Sequence, residues 1–530
     1  MPEAARPLLG LLAALPLIAQ PGVEVLTFHS AIDNSEQSYA VSAPSSFRPG
    51  KTYPLLISLH QEHSSHRLNL RQVLGGDPSL AITRRPEAVI ACPMARGTMG
   101  YQGIAEADIY DVVADAERRF PIDPDRVYLT GISMGGAGAL HLALTRPDVW
   151  AAVAPVCPAA DPGLDRLAGN ALNLPVRIFQ GQEDPIIPVD VARAWHRRLV
   201  DAGVAADYLE YPGVAHNAWT VGFRNGALFE WLTQFHRNHF PARVRFSTAA
   251  YRYSTAYWVR IDGLTPGTLA SIDAQRRGPA QISVETANLD GFTLTPEGPA
   301  PQWWIVTIDG VALRLKPAAA LSFEKVNGRW RAGLFRPRGK RPGAEGPIVE
   351  SVSGRHIYVY GTLGSPTPEQ LAERKRRAQH AAAWAEPDSP LTLTLSVKAD
   401  TALTAEDLAT ADLVLFGSAA TNAAIARLAP TLPITLNPGA ADWGLLYIAP
   451  AGAHTVLVSS GLPWWTGAEA RPGGWPFAPP QLRLLSTFGD YILFKGSLAN
   501  VAAEGRFDAQ WKLAPAAREK LAASGTVSIP

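Results

Sequence analysis

Asp123-Pro124-Asp125-Arg126-Val127-Tyr128-Leu129-Thr130-Gly131-Ile132-Ser133-Met134-Gly135-Gly136 decides how this chain folds. The turn-rich Asp123-Pro124-Asp125 introduces Arg126-Val127-Tyr128-Leu129-Thr130, which reads as a short buried strand. After Gly135 the chain continues Gly136-Ala137-Gly138-Ala139-Leu140-His141-Leu142-Ala143-Leu144, small and apolar as a helix packed closely on a sheet must be. Between them lies Gly131-Ile132-Ser133-Met134-Gly135. A G-x-S-x-G at a strand-to-helix junction is a nucleophile elbow, in which glycines allow a sharp turn and the serine hydroxyl stands clear at the sheet edge. The pentapeptide alone would be weak evidence, since glycine-serine clusters are usually turns; strand, elbow and small-residue helix together weigh against that reading.

An elbow of this kind predicts an acid and a histidine downstream, in that order. Val176 to Gly181 reads as a further buried strand, and Gln182-Glu183-Asp184-Pro185-Ile186-Ile187-Pro188 as its loop. Asp184 is the expected acid, with Glu183 its rival. Asp207 to Tyr211 reads as the next strand, followed by the loop Pro212-Gly213-Val214-Ala215-His216-Asn217. His216 is the expected base. His196 falls on a helix face, and His236 and His239 near the end of the domain's last helix, so they are expected at the surface. Ser133, Asp184 and His216 would then share the carboxyl edge of a parallel sheet, where ligands collect. The residue types suit nucleophilic catalysis: a serine hydroxyl needs an imidazole to take its proton, and a carboxylate fixes the imidazole's tautomer.

On these motifs, residues from about Val23 to about Phe240 resemble an α/β-hydrolase, most closely the prolyl-oligopeptidase catalytic domain and the polyhydroxybutyrate-depolymerase-like esterases. The resemblance covers somewhat under half of the chain and implies an oxyanion hole from the backbone N–H groups of Met134 and Gln61. Here the sequence departs from the family, whose first crossover strand usually ends in His-Gly and further glycines. In this chain Leu55 to Leu59 ends in His60-Gln61-Glu62. The donor at Gln61 survives only if the backbone reaches the same conformation without glycine's freedom; the Gln61 side-chain amide is the alternative donor. His60, Glu62, His63 and His66 also lie within seven residues, but in no metal-ligand spacing, so a polar cleft loop is the better reading than zinc. No metal and no cofactor are expected.

The chain has 530 residues, 47% hydrophobic and 18% charged, enough for several domains. Its 48 Lys and Arg balance 47 Asp and Glu, which leaves no electrostatic case for nucleic acid or an anionic membrane. Arg6 followed by the apolar run Leu8 to Ala19 reads as a signal peptide over residues 1–20, and with it a secreted or periplasmic location. No later run is long and apolar enough to insert stably in a membrane. In the α/β-hydrolase strand order that the resemblance implies, Cys92 and Cys157 end strands separated by two others, too far apart for a disulfide, so two buried free thiols are expected.

Beyond the hydrolase, residues 242–317 alternate and are punctuated by Asp262-Gly263, Asp290-Gly291 and Asp309-Gly310, the pattern of a small β-sandwich-like module. A linker over 318–347 contains the basic Arg336 to Gly343. Residues 348–500 alternate strand and helix as a small doubly wound α/β domain of unknown function, and 501–530 form a tail. The overall class is α/β: an α/β-hydrolase sheet, a β-rich module, then the second α/β domain. Its Gly361-Thr362-Leu363-Gly364 loop has neither dinucleotide nor Walker spacing. Trp464, Trp465 and Trp475 share one loop and are expected to anchor it to its own domain.

Three functions compete. A serine hydrolase would cleave carboxylic esters through an acyl-enzyme on Ser133. A prolyl-oligopeptidase-like peptidase would use the same residues, but no propeller repeats accompany them. A catalytically weakened binding or scaffold protein would explain the altered oxyanion loop but not the retained triad. The partner is thus an ester or peptide. With no cap insertion between Cys157 and Val176, an open cleft admitting polymeric esters is expected. Oligomeric state is not legible.

Overall fold

The computed structural model describes residues 23–75, 87–159, 161–298 and 301–530. The segment read as a signal peptide lies outside the described residues.

The first domain is built on one eight-stranded sheet. Its strands and helices are β1 Val23–Ser30, β2 Ser35–Ser42, β3 Tyr53–Leu59, α1 His66–Val73, β4 Val89–Pro93, α2 Ile104–Arg119, β5 Ile122–Ile132, α3 Met134–Thr145, β6 Ala152–Val156, β7 Val176–Gly181, α4 Val189–Asp201, β8 Ala206–Tyr211, and the short α5 Trp219–Gly222 and α6 Ala227–Leu232. The order across the sheet is β1-β2-β4-β3-β5-β6-β7-β8. β1 and β2 are antiparallel, and β3 to β8 run parallel. That is the topology of an α/β-hydrolase, as the elbow implied. Leu55, Leu56, Ile57 and Leu59 of the central β3 are at most 1% exposed, each stabilising by about 1.5–3 kcal/mol. All twelve residues of α3 are buried. Its glycines let it lie close: a Cβ on Gly135 would stand 2.3 Å from the Leu59 carbonyl oxygen, and one on Gly138 2.4 Å from the Tyr101 ring. Cys92 and Cys157 are buried free thiols on β4 and just past β6, with β3 and β5 between those strands.

The second domain is a β-sandwich of β9 Arg243–Thr248, β10 Thr255–Ala256, β11 Val259–Leu264, β12 Ala270–Gly278, β13 Gln281–Ala287, β14 Leu289–Leu294, β15 Trp304–Ile308, β16 Val311–Leu315, β17 Leu321–Val326 and β18 Arg329–Ala332. Two five-stranded sheets, β10-β11-β14-β17-β18 and β16-β15-β13-β12-β9, close on a core of their own that includes Phe246, Trp258, Phe292 and Phe323. This corrects the boundary between the β-rich module and the linker. β17 and β18 fall within residues 318–347, read as linker, because Leu321 and Phe323 are needed to complete one sheet face. The basic stretch at 336–343 is not loose either: Lys340 is fully buried, with its ammonium paired to Asp490.

The third domain holds β19 His356–Tyr360, α7 Pro368–Ala382, β20 Ser396–Ala399, α8 Ala405–Thr410, β21 Asp412–Phe416, α9 Ala423–Leu428, β22 Thr435–Leu436, β23 Trp443–Ala451, β24 His454–Gly461, α10 Pro480–Leu485, β25 Tyr491–Lys495, β26 Val501–Gly505, α11 Pro515–Ala523 and β27 Val527–Ser528. Its seven-stranded sheet runs β20-β19-β21-β24-β23-β25-β26, with the first four strands parallel and the last three antiparallel to their neighbours. The stretch 501–530 is therefore not a tail: β26 pairs with β25, and β27 pairs with β22. α7 starts where the sequence says it should, with a Thr367–Gln370 capping box and Pro368 in the first turn.

The first and third domains share one apolar core, continuous from Leu55 and Val112 to Tyr358 and Leu415. Polar contacts reinforce it. Arg96, fully buried, forks onto Asp108 at 2.7 and 3.0 Å, pairs with Asp33 at 2.8 Å and reaches the Thr392 carbonyl at 3.3 Å. Thr394 N–H donates to Asp33. Among the described residues no helix is long and apolar enough to cross a membrane.

Candidate active site

β5 turns directly into α3 at Ser133, whose backbone sits at φ 55°, ψ −111°. A non-glycine residue at positive φ costs on the order of 1–3 kcal/mol and persists only where its surroundings over-determine it. Here they do. Ser133 N–H donates to the Val156 carbonyl, and its own carbonyl accepts from Ala137. Cβ atoms on Gly131, Gly135 and Gly136 would fall 2.1, 2.3 and 2.5 Å from backbone oxygens of Gly135, Leu59 and Val156. The elbow's glycines are thus required by contact, and the serine is held up at the edge of the sheet.

Asp184 and His216 arrive from the loops after β7 and β8. His216 Nδ1 lies 2.7 Å from Asp184 Oδ2. The carboxylate is saturated: Gln180 Nε2 donates to Oδ2 at 3.0 Å, and the N–H groups of Ile186 and Ile187 donate to Oδ1 at 2.9 Å each. Burial by itself would raise this carboxyl; the Ile187 N–H, the His216 ring and the Ile186 N–H outweigh it and hold Asp184 below the usual carboxylate range. An Asp184 ionised at neutral pH keeps the proton of the pair on Nδ1, which leaves Nε2 free to accept one. Ser133 Oγ makes no hydrogen bond among the described residues, so the Ser133–His216 contact is open here; such contacts often tighten only around substrate.

The end of β6 ties the two sides of the site together. Val156 takes the Ser133 N–H, and the Sγ of the next residue, Cys157, donates to the His216 carbonyl at 3.2 Å. Cys157 Sγ, Asp184 and His216 therefore lie close enough to suggest a metal. The chemistry does not fit one: burial pushes the thiol up to about 12, so it is a neutral donor, and His216 Nδ1 and the Asp184 carboxylate are spent on each other.

The rival residues are elsewhere. His196 stacks on Tyr208, His239 bonds Asp125, and Glu183 is exposed. His60, Glu62, His63 and His66 do not converge. His60 is buried, its ring lying between the carbonyls of Gln61 and Met94, whereas His66 Nδ1 meets Met94 Sδ.

His60 has a structural use that the sequence did not reveal. Tyr101 donates its hydroxyl to the His60 carbonyl at 2.9 Å. That bond fixes the His60–Gln61 peptide plane, so the Gln61 N–H points the opposite way, with no acceptor among the described residues. Met134 N–H, first in α3, also lacks one, as helix geometry requires. Gln61 Oε1 accepts from Gln72 Nε2 at 3.2 Å, which ties its side chain toward α1.

The floor beside Ser133 runs along α3 through Met134, Ala137, Gly138 and His141. Its roof is Pro476-Phe477, from the tryptophan-rich loop of the third domain, and the space left is about 10 Å³, room for about one water. Phe477 is held at φ 62°. His141 lines this slit with an unpartnered Nδ1, while its Nε2 meets Glu106. A wider cavity of about 210 Å³ adjoins, between Glu62, His63 and Thr98 of the first domain and Trp384, Glu386 and Arg483 of the third. The third domain thus roofs α3 from Met134, the residue after Ser133, although neither cavity is lined by Ser133, Asp184 or His216 themselves. Only the clustering of Trp464, Trp465 and Trp475 hinted at this loop, and Trp464 is indeed fully buried as an anchor.

Residues 96–223, a span holding Ser133, Asp184 and His216, match the sequence model of the Dienelactone hydrolase family. No curated protein matches the chain. Among solved structures, a thermostable esterase is similar at 22% identity and TM-score 0.35, over 41% of this chain and 64% of that one. A ferulic acid esterase from Anaeromyces mucronatus is similar at 19% identity and TM-score 0.32, over 41% and 95%. A dipeptidyl aminopeptidase IV-like protein from Bacteroides ovatus is similar at 19% and 0.33, over 40% and 35%. The sheet order, the elbow and the family match together make residues 23–240 an α/β-hydrolase domain.

Proposed function

We propose that this chain is a secreted serine hydrolase that cleaves carboxylic esters through an acyl-enzyme on Ser133. The observation that carries the reading is the strained Ser133 elbow beside a His216–Asp184 pair at 2.7 Å, a conjunction that packing alone has no use for. Ser133 Oγ attacks the ester carbonyl while His216 Nε2 takes its proton. Asp184 stabilises the resulting imidazolium, and the Met134 and Gln61 N–H groups receive the oxyanion, each such donor supplying about 2.7–4 kcal/mol. His216 returns the proton to the departing alcohol. It then deprotonates a water that attacks the acyl carbonyl and frees Ser133. The narrow slit under Phe477 favours compact groups beside Met134, and the adjoining cavity suits the larger half of the ester. Export is supported by Arg6 and the apolar run Leu8 to Ala19.

The test is turnover of a chromogenic ester series and a proline-containing peptide, by the protein and by Ser133→Ala. Ester turnover abolished in the variant supports the proposal. Peptide cleavage without ester cleavage reverses it in favour of a peptidase. Inertness toward both, with no labelling by a fluorophosphonate, leaves the scaffold reading. N-terminal sequencing of exported protein checks the leader: a start near Gln20 is expected.

A further inference from the structure

The third domain carries a cavity of its own, away from Ser133. In an open α/β sheet ligands gather outside the carboxyl ends of parallel strands, where the strand order reverses. Here the chain goes from β19 to β20 on one side and then to β21 on the other, so the reversal lies between β19 and β21. Asn422 fills that point, donating from Nδ2 to the Val359 and Phe416 carbonyls at 3.3 and 3.1 Å. The opening is displaced by one strand, over the ends of β21 and β24, and measures about 370 Å³, within the size range of small-molecule sites.

Its chemistry is one-sided. Arg374 and Arg377 of α7 line it and no carboxylate does. Arg374 Nη1 donates to three carbonyls, those of Gly361, Leu363 and Thr421, at 3.1, 2.8 and 3.3 Å. These bonds hold the guanidinium rigid without neutralising it, and among the described residues it has no carboxylate partner. Its Nε–Nη2 edge, the fork that binds a carboxylate in two parallel hydrogen bonds, is left unbonded among the described residues. Arg377 shares Glu373 with Arg376, so positive charge exceeds negative there too. The opposite wall is apolar and stiff. Trp465 is wedged between His380, with ring centroids 4.6 Å apart, and Trp464 at 4.9 Å; Leu436 and Phe416 adjoin. A phosphate cradle is missing, because the N–H groups opening the short α9 are already taken: Ala423 by Asp400, Ala424 and Ile425 by Asn422.

We propose that this cavity is a second ligand site, for a small organic carboxylate with a flat apolar body. The carboxylate meets the free edge of Arg374 with Arg377 at the mouth, and the body lies on Trp465. The site is independent of the hydrolase chemistry. Calorimetric titration of the full chain with 2-naphthoate tests it, with 2-naphthylmethanol and 2-naphthyl phosphate as comparators. One equivalent of 2-naphthoate should bind, and the neutral alcohol at least about tenfold more weakly. Arg374→Lys and Trp465→Leu should each weaken binding about tenfold or more. The exposed Arg377→Gln should weaken it severalfold while leaving the unfolding midpoint unchanged, which separates lost binding from lost fold. Equal binding of the alcohol, indifference to all three substitutions, or no binding of 2-naphthoate at millimolar concentration overturns the proposal. Tighter binding of 2-naphthyl phosphate than of 2-naphthoate overturns the carboxylate assignment.

Discussion

Gly181→Ala tests whether loop contact, rather than the triad residues alone, sets the position of the base. Gly181 ends β7 with ordinary backbone angles, so any objection to alanine is one of space. A Cβ there would stand 1.9 Å from the Ala215 carbonyl oxygen and 2.5 Å from that of Val214, against 3.4 Å for the start of ordinary contact. The Ala215 oxygen must therefore retreat by 3.4 − 1.9 = 1.5 Å. Ala215 is bonded to His216, so the imidazole moves on the order of 1 Å, enough to part it from Asp184 at 2.7 Å. Misplacement of that size costs about 100-fold in turnover, equal to about 2.7 kcal/mol. The strained packing costs a further 1–3 kcal/mol or so of stability. The assay is stopped-flow turnover of p-nitrophenyl acetate alongside urea unfolding. Gly213→Ala in the same loop is the control: its φ of 73° costs about 1–2 kcal/mol, but nothing lies within 4 Å of the new Cβ, so turnover should stay near that of the parent. A Gly181→Ala protein with parental turnover and an unchanged urea midpoint would refute this account of how His216 is placed.

Asp184→Asn should lower kcat about 10⁴-fold, measured on the same ester: the Ile186 and Ile187 N–H groups keep the amide oxygen, the amide NH₂ faces His216 Nδ1, and the ring is left in the wrong tautomer. The same substitution should flatten acid unfolding. Because the Asp184 carboxyl is depressed in the fold, its contribution is present above about 3.8 and is lost as pH falls through its lower folded value; urea unfolding from about pH 5 to about pH 2 should show this in the parent and not in the variant. Arg96→Leu leaves Asp33 and Asp108 buried and unpaired and should cost about 3–5 kcal/mol by urea unfolding. Phe477→Ala unroofs the slit, so kcat/KM for butyrate over acetate esters should rise about tenfold or more; an unchanged ratio would mean that Phe477 does not bound the acyl group.

The sequence by itself determined the parts whose physics is local. A short buried strand ending in Gly131-Ile132-Ser133-Met134-Gly135 has few other folds, because only glycine tolerates backbone oxygens at 2.1–2.5 Å from a would-be Cβ. The order of Ser133, Asp184 and His216, the sandwich's alternation and the start of α7 at Thr367-Pro368 are legible for the same reason. Long-range contact was decided only by the tertiary structure. Leu321 and Phe323 look like linker residues until the sandwich face they complete is present, and Lys340 looks solvated until Asp490, 150 residues on, is beside it. The roof over the start of α3 comes from Phe477, more than 300 residues on, and no local pattern in Pro476-Phe477 records that Gly100 and Tyr101 lie beneath it. The cavity at Arg374 likewise exists only once α7, β21 and β24 converge, since a guanidinium's free edge is defined by the carbonyls that occupy its other side.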